Sequence, residues 1–294
     1  MIKISVVIPT YNHARWLPES IESALNQTLK PHEVIVVDDG SKDNTREVVS
    51  AYPVRYIYQA NSGLSASRNT GVREATGDWI ALLDADDYWL PRKLELQAGA
   101  VGDEGVCYCA TTQFFSDGHT EDPEFHGAST VVSVLRHHNV IDPSSVIVRR
   151  DIILQIGGFN EKMPAAEDWE AWLRLARVCK FVGVPERLLM YRVTGTGMSA
   201  NPELSLRSMD QIVAAGTAGL PPIRRFIEAR RMRSTRTIQA AIKYREKGDS
   251  RNCLRCAIRA LRHWPSPFYD KAFKVLLLEL RSCLRNRKKR VPTS

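Results

Sequence analysis

Four short runs of strand-forming residues, separated by segments with helical spacing, are the feature that most limits how this chain can fold. The runs span residues 2–8, 33–37, 55–58 and 79–83. Between the first two, Leu17, Ile21 and Ala24 recur at the spacing of one helix face. Strands that alternate with helices predict a parallel sheet joined by right-handed crossovers. We therefore expect an α/β fold with a mostly parallel, Rossmann-like sheet and flanking helices.

Polar residues follow three of these runs where the predicted strands end. They are Thr10-Tyr11, Asp38-Asp39 and Asp84-Ala85-Asp86. In open parallel sheets, ligands bind in the crevice outside the carboxyl ends of the strands. An aromatic ring and carboxylates there suit a nucleotide diphosphate, through stacking on the base and hydrogen bonds to base or ribose. The usual Gly-x-Gly-x-x-Gly turn is missing after the first strand, and no P-loop is present.

The acidic run Asp84-Ala85-Asp86-Asp87 has two competing explanations. Carboxylates this close repel one another, so a hard divalent cation such as Mg²⁺ or Mn²⁺ would stabilise them. Alternatively, Asp86 or Asp87 caps a helix that is entered through Pro91. The run by itself leaves both open.

The second half of the predicted body continues the alternation. Strands are expected at 104–115, 146–148 and 181–191, and the polar stretch 116–127 is expected to be a mobile loop. Glu167 and Asp168 precede Trp169, Trp172 and Leu173, which share one helical face. The acidic pair therefore begins a helix, where negative charge also has the plain structural effect of stabilising the helix dipole.

Four ordered motifs resemble those of the family 2 inverting glycosyltransferases with a GT-A fold. They are Ser-Val-Val-Ile-Pro-Thr-Tyr-Asn at 5–12, Val-Val-Asp-Asp-Gly-Ser at 36–41, Gly-Leu-Ser-Ala-Ser-Arg-Asn at 63–69 and Leu-Asp-Ala-Asp-Asp at 83–87. The resemblance covers about residues 3–200. It implies the nucleotide-diphospho-sugar transferase form of the predicted sheet.

The resemblance also implies roles for individual residues. Asp86 would be the principal ligand of Mn²⁺ or Mg²⁺ and Asp84 would lie beside it, while Asp168 would be the acceptor-activating base with Glu167 in support. The nucleotide-sugar would be bound by Pro9, Thr10, Tyr11, Asp38, Asp39, Ser65, Arg68, Asp84, Ala85 and Arg192. For Arg68 the alternative is a solvated arginine on a helix face. The segment after Arg192 resembles a family loop, with Thr194 in place of the usual histidine.

These implications give an expected function with two rivals. We expect metal-dependent, inverting transfer of a sugar from a nucleotide-sugar, a UDP-sugar by preference, to a hydroxyl of a glycan or lipid-linked acceptor. A sugar nucleotidyltransferase would also place carboxylates and metal beside a nucleotide, but the early glycine- and lysine-rich loop is missing. A non-catalytic glycan-binding or assembly protein would not need both acidic sites.

A change in composition divides the chain after residue 203. We predict a catalytic domain over 1–203, with a nucleotide-sugar half at 1–102 and an acceptor half at 103–203, and a basic helical region over 204–294. From Arg224 onward there are 21 Lys and Arg against 5 Asp and Glu, a net +16, which leaves −8 for the rest. Spacing from Tyr244 to Pro265 fits one tetratricopeptide-like hairpin or two ordinary helices.

The basic end of the chain indicates an anionic partner. A basic cluster at 285–290 follows the segment 273–284, which is apolar on one helical side, and this arrangement suits peripheral contact with an anionic membrane. A solvated tail is the alternative, and nucleic acid is not expected without an interleaved aromatic motif. No apolar run is long enough to span a bilayer, and the six cysteines suggest no disulfide framework. We therefore expect a cytoplasmic protein at the inner face of the membrane.

Overall fold

The computed structural model describes residues 2–194 and 201–263. They form two compact units. The first comprises 2–135, 139–163 and 167–194, and the second comprises 136–138, 164–166 and the described residues from 201 onward. The predicted helical region thus gains two short segments from earlier in the chain.

A mixed sheet forms the centre of the first unit. The described strands are β1 (Ile4–Thr10), β2 (Glu33–Asp38), β3 (Arg55–Tyr58), β4 (Trp79–Leu82), β5 (Tyr88–Trp89), β6 (Val106–Phe115), β7 (Thr120–Glu121), β8 (Val146–Arg149) and β9 (Phe181–Val193). Their order is β3-β2-β1-β4-β8-β6-β9-β5, and β7 pairs with β6.

Helices connect these strands in the alternation that the sequence predicts. In the first unit they are α1 (Leu17–Leu25), α2 (Thr45–Ser50), α3 (Leu64–Glu74), α4 (Lys93–Ala100), α5 (Ala128–Leu135), α6 (Arg150–Gln155) and α7 (Glu167–Leu175). A short 3-10 helix at Pro143–Ser145 precedes β8.

Strand direction divides the sheet into two parts. The ladders β3-β2-β1-β4 are all parallel, as predicted. Beyond β4, the pairs β4-β8, β8-β6 and β9-β5 are antiparallel, and only β6-β9 is parallel. The apolar pattern does not encode direction, and the strands of each of these antiparallel pairs lie far apart in sequence, so no turn between them marks the reversal.

Close packing of α3 on β1 fixes the position of the helix that carries Arg68. Val7 is fully buried in β1, and a Cβ added at Gly71 of α3 would lie 2.2 Å from Val7 Cγ1. Any larger residue at 71 would push the helix off the sheet. Because residue 71 is glycine, α3 can pack close to β1, and this close packing places Arg68 near the strand ends.

Two details of the β6 region were not predicted. The expected loop at 116–127 contains β7, which pairs with β6 after a turn in which Gly118 has φ 89°. In the β6-β9 ladder the register shifts between Cys109, opposite Val184, and Ala110, opposite Arg187. Pro185 lies in that shift, where its missing N–H interrupts no ladder hydrogen bond.

The second unit is helical in its described part. It contains α8 (Pro202–Arg207), α9 (Met209–Thr217), α10 (Pro222–Glu246) and α11 (Ser250–His263). Gly248, with φ 73°, turns the chain between α10 and α11, and Ala240, Ala241, Cys253 and Cys256 pack between them. Helices α10 and α11 thus form a helical hairpin, whereas Pro265 and the predicted membrane-contact segment from 273 lie outside the described residues.

None of the helices in the described part of the chain combines the length and apolar character needed to cross a bilayer. No disulfide links the cysteines among the described residues, and Cys107, Cys109, Cys253 and Cys256 are buried.

Candidate active site

The ends of β1 and β2 lie side by side, as the sequence predicts. Thr10 pairs with Asp38 in the last register position, and the Asp39 N–H donates to the Thr10 carbonyl at 2.9 Å. Pro9 and Thr10 are buried, whereas Tyr11, one residue beyond the strand, is 41% exposed. The ring of Tyr11 is therefore accessible to a planar ligand.

The Asp39 carboxylate holds the start of α3. It accepts hydrogen bonds from Gln59 Nε2 at 2.7 Å, from the Ser62 N–H at 2.9 Å and from the Gly63 N–H at 2.7 Å. Because α3 begins at Leu64, these bonds tie the end of β2 to the helix that carries Ser65 and Arg68. Ser65 is buried there.

Asp38 is also satisfied by the protein. Its carboxylate accepts from the Tyr56 hydroxyl at 2.6 Å and from the Ser41 N–H at 2.8 Å. Burial and this hydrogen bond raise the pKa of Tyr56. Asp38 thus orders the loop that follows β2.

Arg68 joins the acidic run after β4 to the acidic pair at the start of α7. Its Nη2 donates to Asp84 Oδ1 at 2.7 Å and Oδ2 at 2.9 Å, and its Nη1 donates to Glu167 Oε1 at 2.6 Å. The side chain is 1% exposed, and its guanidinium lies 5.5 Å from the Phe159 ring centroid. The solvated alternative for Arg68 is therefore wrong.

The last two acidic residues of the run have different surroundings. Asp87 is buried and accepts from the Ser144 hydroxyl at 2.6 Å and from the Arg192 N–H at 2.9 Å, which makes it a structural tie. The Asp86 carboxylate has no such side-chain donor among the described residues. Burial raises the pKa of Asp86, and Asp84 raises it further. Ala85, between the two aspartates, is buried.

The helix-cap explanation of this run is wrong. Helix α4 begins at Lys93, its N-cap is Arg92, and no side chain caps it. Burial raises the pKa of both Asp86 and Asp87, and the nearby Asp84 carboxylate raises both further.

Arg192 closes one side of the acidic run. Its Nε donates to the Asp86 carbonyl at 2.8 Å, and its guanidinium lies 4.0 Å from the Trp16 ring centroid and 4.4 Å from that of Phe114. The guanidinium also donates to Glu19. The segment 195–200, which follows the end of β9, lies outside the described residues.

Asp168 is a buried carboxyl with few hydrogen bonds. It accepts from Asn139 Nδ2 at 2.8 Å. Burial and the adjacent Glu167 raise the pKa of Asp168 to about 7, although Arg68 acts in the opposite direction. A carboxyl with a pKa in this range is suited to take up and release a proton near neutral pH.

The oxygen atoms around the acidic run provide only part of the ligand set that a hard cation needs. No group of three or more His, Cys, Asp or Glu side chains arranged to hold a metal occurs in residues 2–194 or 201–263. Asp86 has a carboxylate whose pKa is raised beside Asp84, and a cation would relieve that repulsion. Since Mg²⁺ and Mn²⁺ commonly complete their shells with water and substrate phosphates, two carboxylates are enough for such a site.

Several residues at the site were missed by sequence reasoning. They are Trp16, Gln59, Phe114, Asn139 and Ser144. Each lies far along the chain from the residue it contacts. Only Gln59, which directly follows the expected strand 55–58, had a local signal.

Comparison with known proteins places the chain in a family. The model of "Glycosyl transferase family 2" matches residues 5–153, half of the chain, and that of "Glycosyltransferase like family 2" matches 111–226. An uncharacterized glycosyltransferase of Rickettsia typhi is 29% identical over 202 residues, which cover 65% of this chain and 64% of that protein. The chondroitin synthase of Pasteurella multocida is 31% identical over 192 residues, 60% of this chain and 19% of the synthase. Both matches span less than two thirds of the relative's own length.

Solved structures share the fold at low identity. The 1–349 fragment of Staphylococcus aureus TarS, in complex with UDP-GlcNAc, has a TM-score of 0.68 and 18% identity over 98% of this chain and 92% of that one. The mannosyltransferase PcManGT of Pyrobaculum calidifontis, in complex with GDP-Man and Mn²⁺, has a TM-score of 0.59 and 19% identity over 99% and 88%. These likenesses confirm the expected GT-A fold. With that fold and a family model that matches half of its length, the chain belongs to glycosyl transferase family 2.

Proposed function

We propose that this protein transfers a sugar from a nucleotide-sugar, a UDP-sugar by preference, to a hydroxyl of a glycan or lipid-linked acceptor, with inversion at the anomeric carbon. The observation that carries the proposal is the Asp84-Arg68-Glu167 bridge. It brings the acidic run after β4, which suits a diphosphate with a cation, beside a buried acidic pair that suits proton transfer.

The nucleoside half of the donor would occupy the ends of β1 and β2. Tyr11 offers an exposed ring for the base, and Asp39 holds the backbone of Ser62 and Gly63 beside it. TarS was solved with UDP-GlcNAc and PcManGT with GDP-Man, which supports a nucleotide-sugar for this chain.

Asp86 would be the main protein ligand of Mn²⁺ or Mg²⁺, with Asp84 beside it. Arg68 already holds both oxygens of Asp84, so Asp86 is the carboxylate with more freedom to coordinate a cation. The bound cation would act as a Lewis acid and offset the charge that builds on the leaving diphosphate. Arg192, held beside Asp86, adds a fixed positive charge on the same side.

Asp168 would accept the proton of the attacking acceptor hydroxyl. Its raised pKa makes the carboxylate basic enough for this task, and Asn139 orients one of its oxygens. Glu167, held by Arg68, would contact the acceptor or support Asp168. Attack from the face opposite the diphosphate gives inversion in a single displacement.

Two measurements test this function together. A screen of nucleotide-sugars by nucleotide release, with and without Mn²⁺, should show turnover with at least one donor and a suitable glycan or lipid acceptor. Calorimetry should show that Asp86→Ala loses the Mn²⁺-dependent part of UDP binding, whereas Asp122→Ala, an exposed carboxylate paired with Arg187, keeps it. Unchanged UDP affinity of Asp86→Ala in Mn²⁺ would refute the metal assignment.

The basic end of the chain supports a peripheral membrane role on the cytoplasmic side. Each Arg or Lys near an anionic leaflet contributes about 1 kcal/mol, and the attraction decays within a Debye length of about 8 Å at physiological salt. The full chain should float with phosphatidylglycerol vesicles at low salt and less at high salt. Replacing the basic residues of 285–290 with serine should weaken flotation, and equal flotation would assign the contact elsewhere.

A further inference from the structure

The hydroxyl of Ser208 bonds a distant backbone carbonyl and does not cap the helix that follows it. It lies between α8 and α9 and is the N-cap of α9, where serine commonly accepts a hydrogen bond from a nearby backbone N–H. Here it makes no such bond. Its Oγ instead donates to the Ala165 carbonyl at 2.6 Å, and it lies 3.2 Å from the Leu204 carbonyl. Ser208 is 0% exposed, so the bond to Ala165 is a buried tie within the helical unit.

The segment that Ser208 holds leads directly into the acidic pair. Ala165 and Ala166 precede Glu167 and Asp168 in the chain. Ala166 has φ 59°, a left-handed conformation that disfavours alanine and persists only where its surroundings impose it. Since α7 begins one residue later, the conformation at 165–166 determines where its first turn starts.

A second tie holds the residue that bonds Asp168. His138 Nδ1 lies 3.0 Å from Gln239 Nε2 of α10, and both belong to the helical unit. The next residue is Asn139, whose Nδ2 donates to Asp168 Oδ2. The helical unit therefore holds the chain immediately before Asn139 and immediately before Glu167.

We infer that Ser208 and Gln239 are positioning residues for the base Asp168, which they align through the segments 164–166 and 136–138. The inference rests on the proposed function. It gives the helical unit a part in transfer that does not depend on contact with donor or acceptor. The groups that face Asp168 are Glu167 on α7, Arg68 on α3, Asn139 and the Trp169 N–H. Of these, Asn139 and the start of α7 directly follow, in the chain, the segments that Gln239 and Ser208 hold.

Ser234 provides a matched control. It is 1% exposed in the same unit, and its Oγ donates to the Ala260 carbonyl at 3.0 Å, between α10 and α11. Ser208→Ala and Ser234→Ala therefore each remove one buried hydroxyl bond to a backbone carbonyl. Only the first bond leads to the acidic pair.

The first experiment measures hydrogen exchange by mass spectrometry and needs no activity. Peptides that cover 164–170 should exchange several-fold faster in Ser208→Ala than in the wild type, and Ser208→Thr, which keeps a hydroxyl, should restore protection. Ser234→Ala should leave these peptides unchanged. Equal exchange in Ser208→Ala and Ser234→Ala would overturn the inference, whether or not the proposed function is correct.

The second experiment follows transfer with a donor that the wild type uses. Ser208→Ala should lower kcat about tenfold and leave the KM for the donor unchanged, while Ser234→Ala keeps the wild-type kcat. Gln239→Ala should move the rising limb of the pH profile to higher pH, because a misplaced Asn139 stabilises the Asp168 carboxylate less. Wild-type kcat and an unmoved limb in these variants would overturn the inference, whereas lack of turnover by the wild type would count against the proposed function instead.

Discussion

Asp39, at the proposed nucleoside end of the site, and Asp168, at its proposed acceptor end, are both buried but accept different numbers of hydrogen bonds. Asp39 is 3% exposed and accepts three hydrogen bonds, two of them from backbone N–H groups. Asp168 is 9% exposed and accepts one side-chain hydrogen bond, from Asn139. Its pKa is raised to about 7.

This difference separates two uses of the same chemical group. A carboxylate that accepts several hydrogen bonds fixes the backbone around it, so its substitution should mainly reduce stability. A carboxylate with few donors in a buried place holds its proton more easily, at a cost in folding free energy at neutral pH. The second arrangement suits a proton acceptor, and its substitution should reduce activity but increase stability.

The largest expected effect is on transfer by Asp168→Asn. Asparagine can still bond Asn139 but cannot accept the acceptor proton, so the rate should fall by about two to four orders of magnitude. Donor affinity measured by calorimetry should stay at the wild-type value. Turnover near the wild-type rate would place the base elsewhere, and Glu167→Gln would be the next variant to assay.

The same variant should be more stable than the wild type, by about 2–4 kcal/mol at pH 8. Between the unfolded pKa near 3.8 and the folded value near 7, native Asp168 keeps a proton that the unfolded chain has lost. Stability due to this group therefore falls as pH rises through that interval. We expect denaturant unfolding at pH 4, 6 and 8 to show that the free energy of unfolding of Asp168→Asn exceeds that of the wild type by an amount that grows with pH and becomes constant above pH 7. A constant difference would contradict the raised pKa.

Asp39→Asn should act in the opposite direction. It replaces an acceptor of three hydrogen bonds with an amide that has one acceptor oxygen, and it leaves the N–H of Ser62 or Gly63 unpaired. A loss of about 1–3 kcal/mol in the free energy of unfolding is expected. Its donor affinity should fall as well, because the start of α3 loosens. Wild-type stability for Asp39→Asn would remove the distinction between the two ends of the site.

Lys93 tests the same principle away from the site. It is fully buried, its Nζ lies 2.7 Å from Gln97 Oε1 and 4.0 Å from the Trp89 ring centroid, and burial lowers its pKa to about 8. Between this value and 10.5 the unfolded chain holds a proton that the native chain has lost, so stability due to Lys93 rises with pH. Lys93→Met should raise the free energy of unfolding by about 1–2 kcal/mol at pH 7.

The control for Lys93→Met is the wild type followed over the same pH range. The difference between the two should shrink from pH 8 to pH 10.5, since the penalty for burying the charged amine disappears there. A gain that does not depend on pH would come from packing against Trp89 and not from the charge.

Much of the fold follows from local pattern. The predicted limits of β3 agree with the structure, and β1, β2 and β4 differ from prediction by one or two residues, because apolar runs and polar strand ends mark them directly. The antiparallel β8 was not predicted as such, since its four residues carry no information on direction. The units also divide differently from the predicted boundary, because segments 136–138 and 164–166 join the helices through contacts distant in sequence.

The site was predictable where its residues follow strands. Asp38, Asp39, Asp84 and Asp86 come directly after β-branched or apolar runs. The bond between Arg68 and Glu167 spans 99 residues, and that between Asp87 and Ser144 spans 57, so no local spacing could reveal either. Roles in donor, metal and acceptor binding remain proposals for the experiments above.

The contact between Gly71 and Val7 has an evolutionary consequence. A side chain at 71 and a branched side chain at 7 would occupy the same volume, so the two positions should change as a pair during divergence. Gly71→Ala alone should displace α3, together with Arg68 and the start of the helix. Combined with Val7→Ala, the same substitution should recover much of the lost stability, so a lineage can reach alanine at 71 only after position 7 has become small.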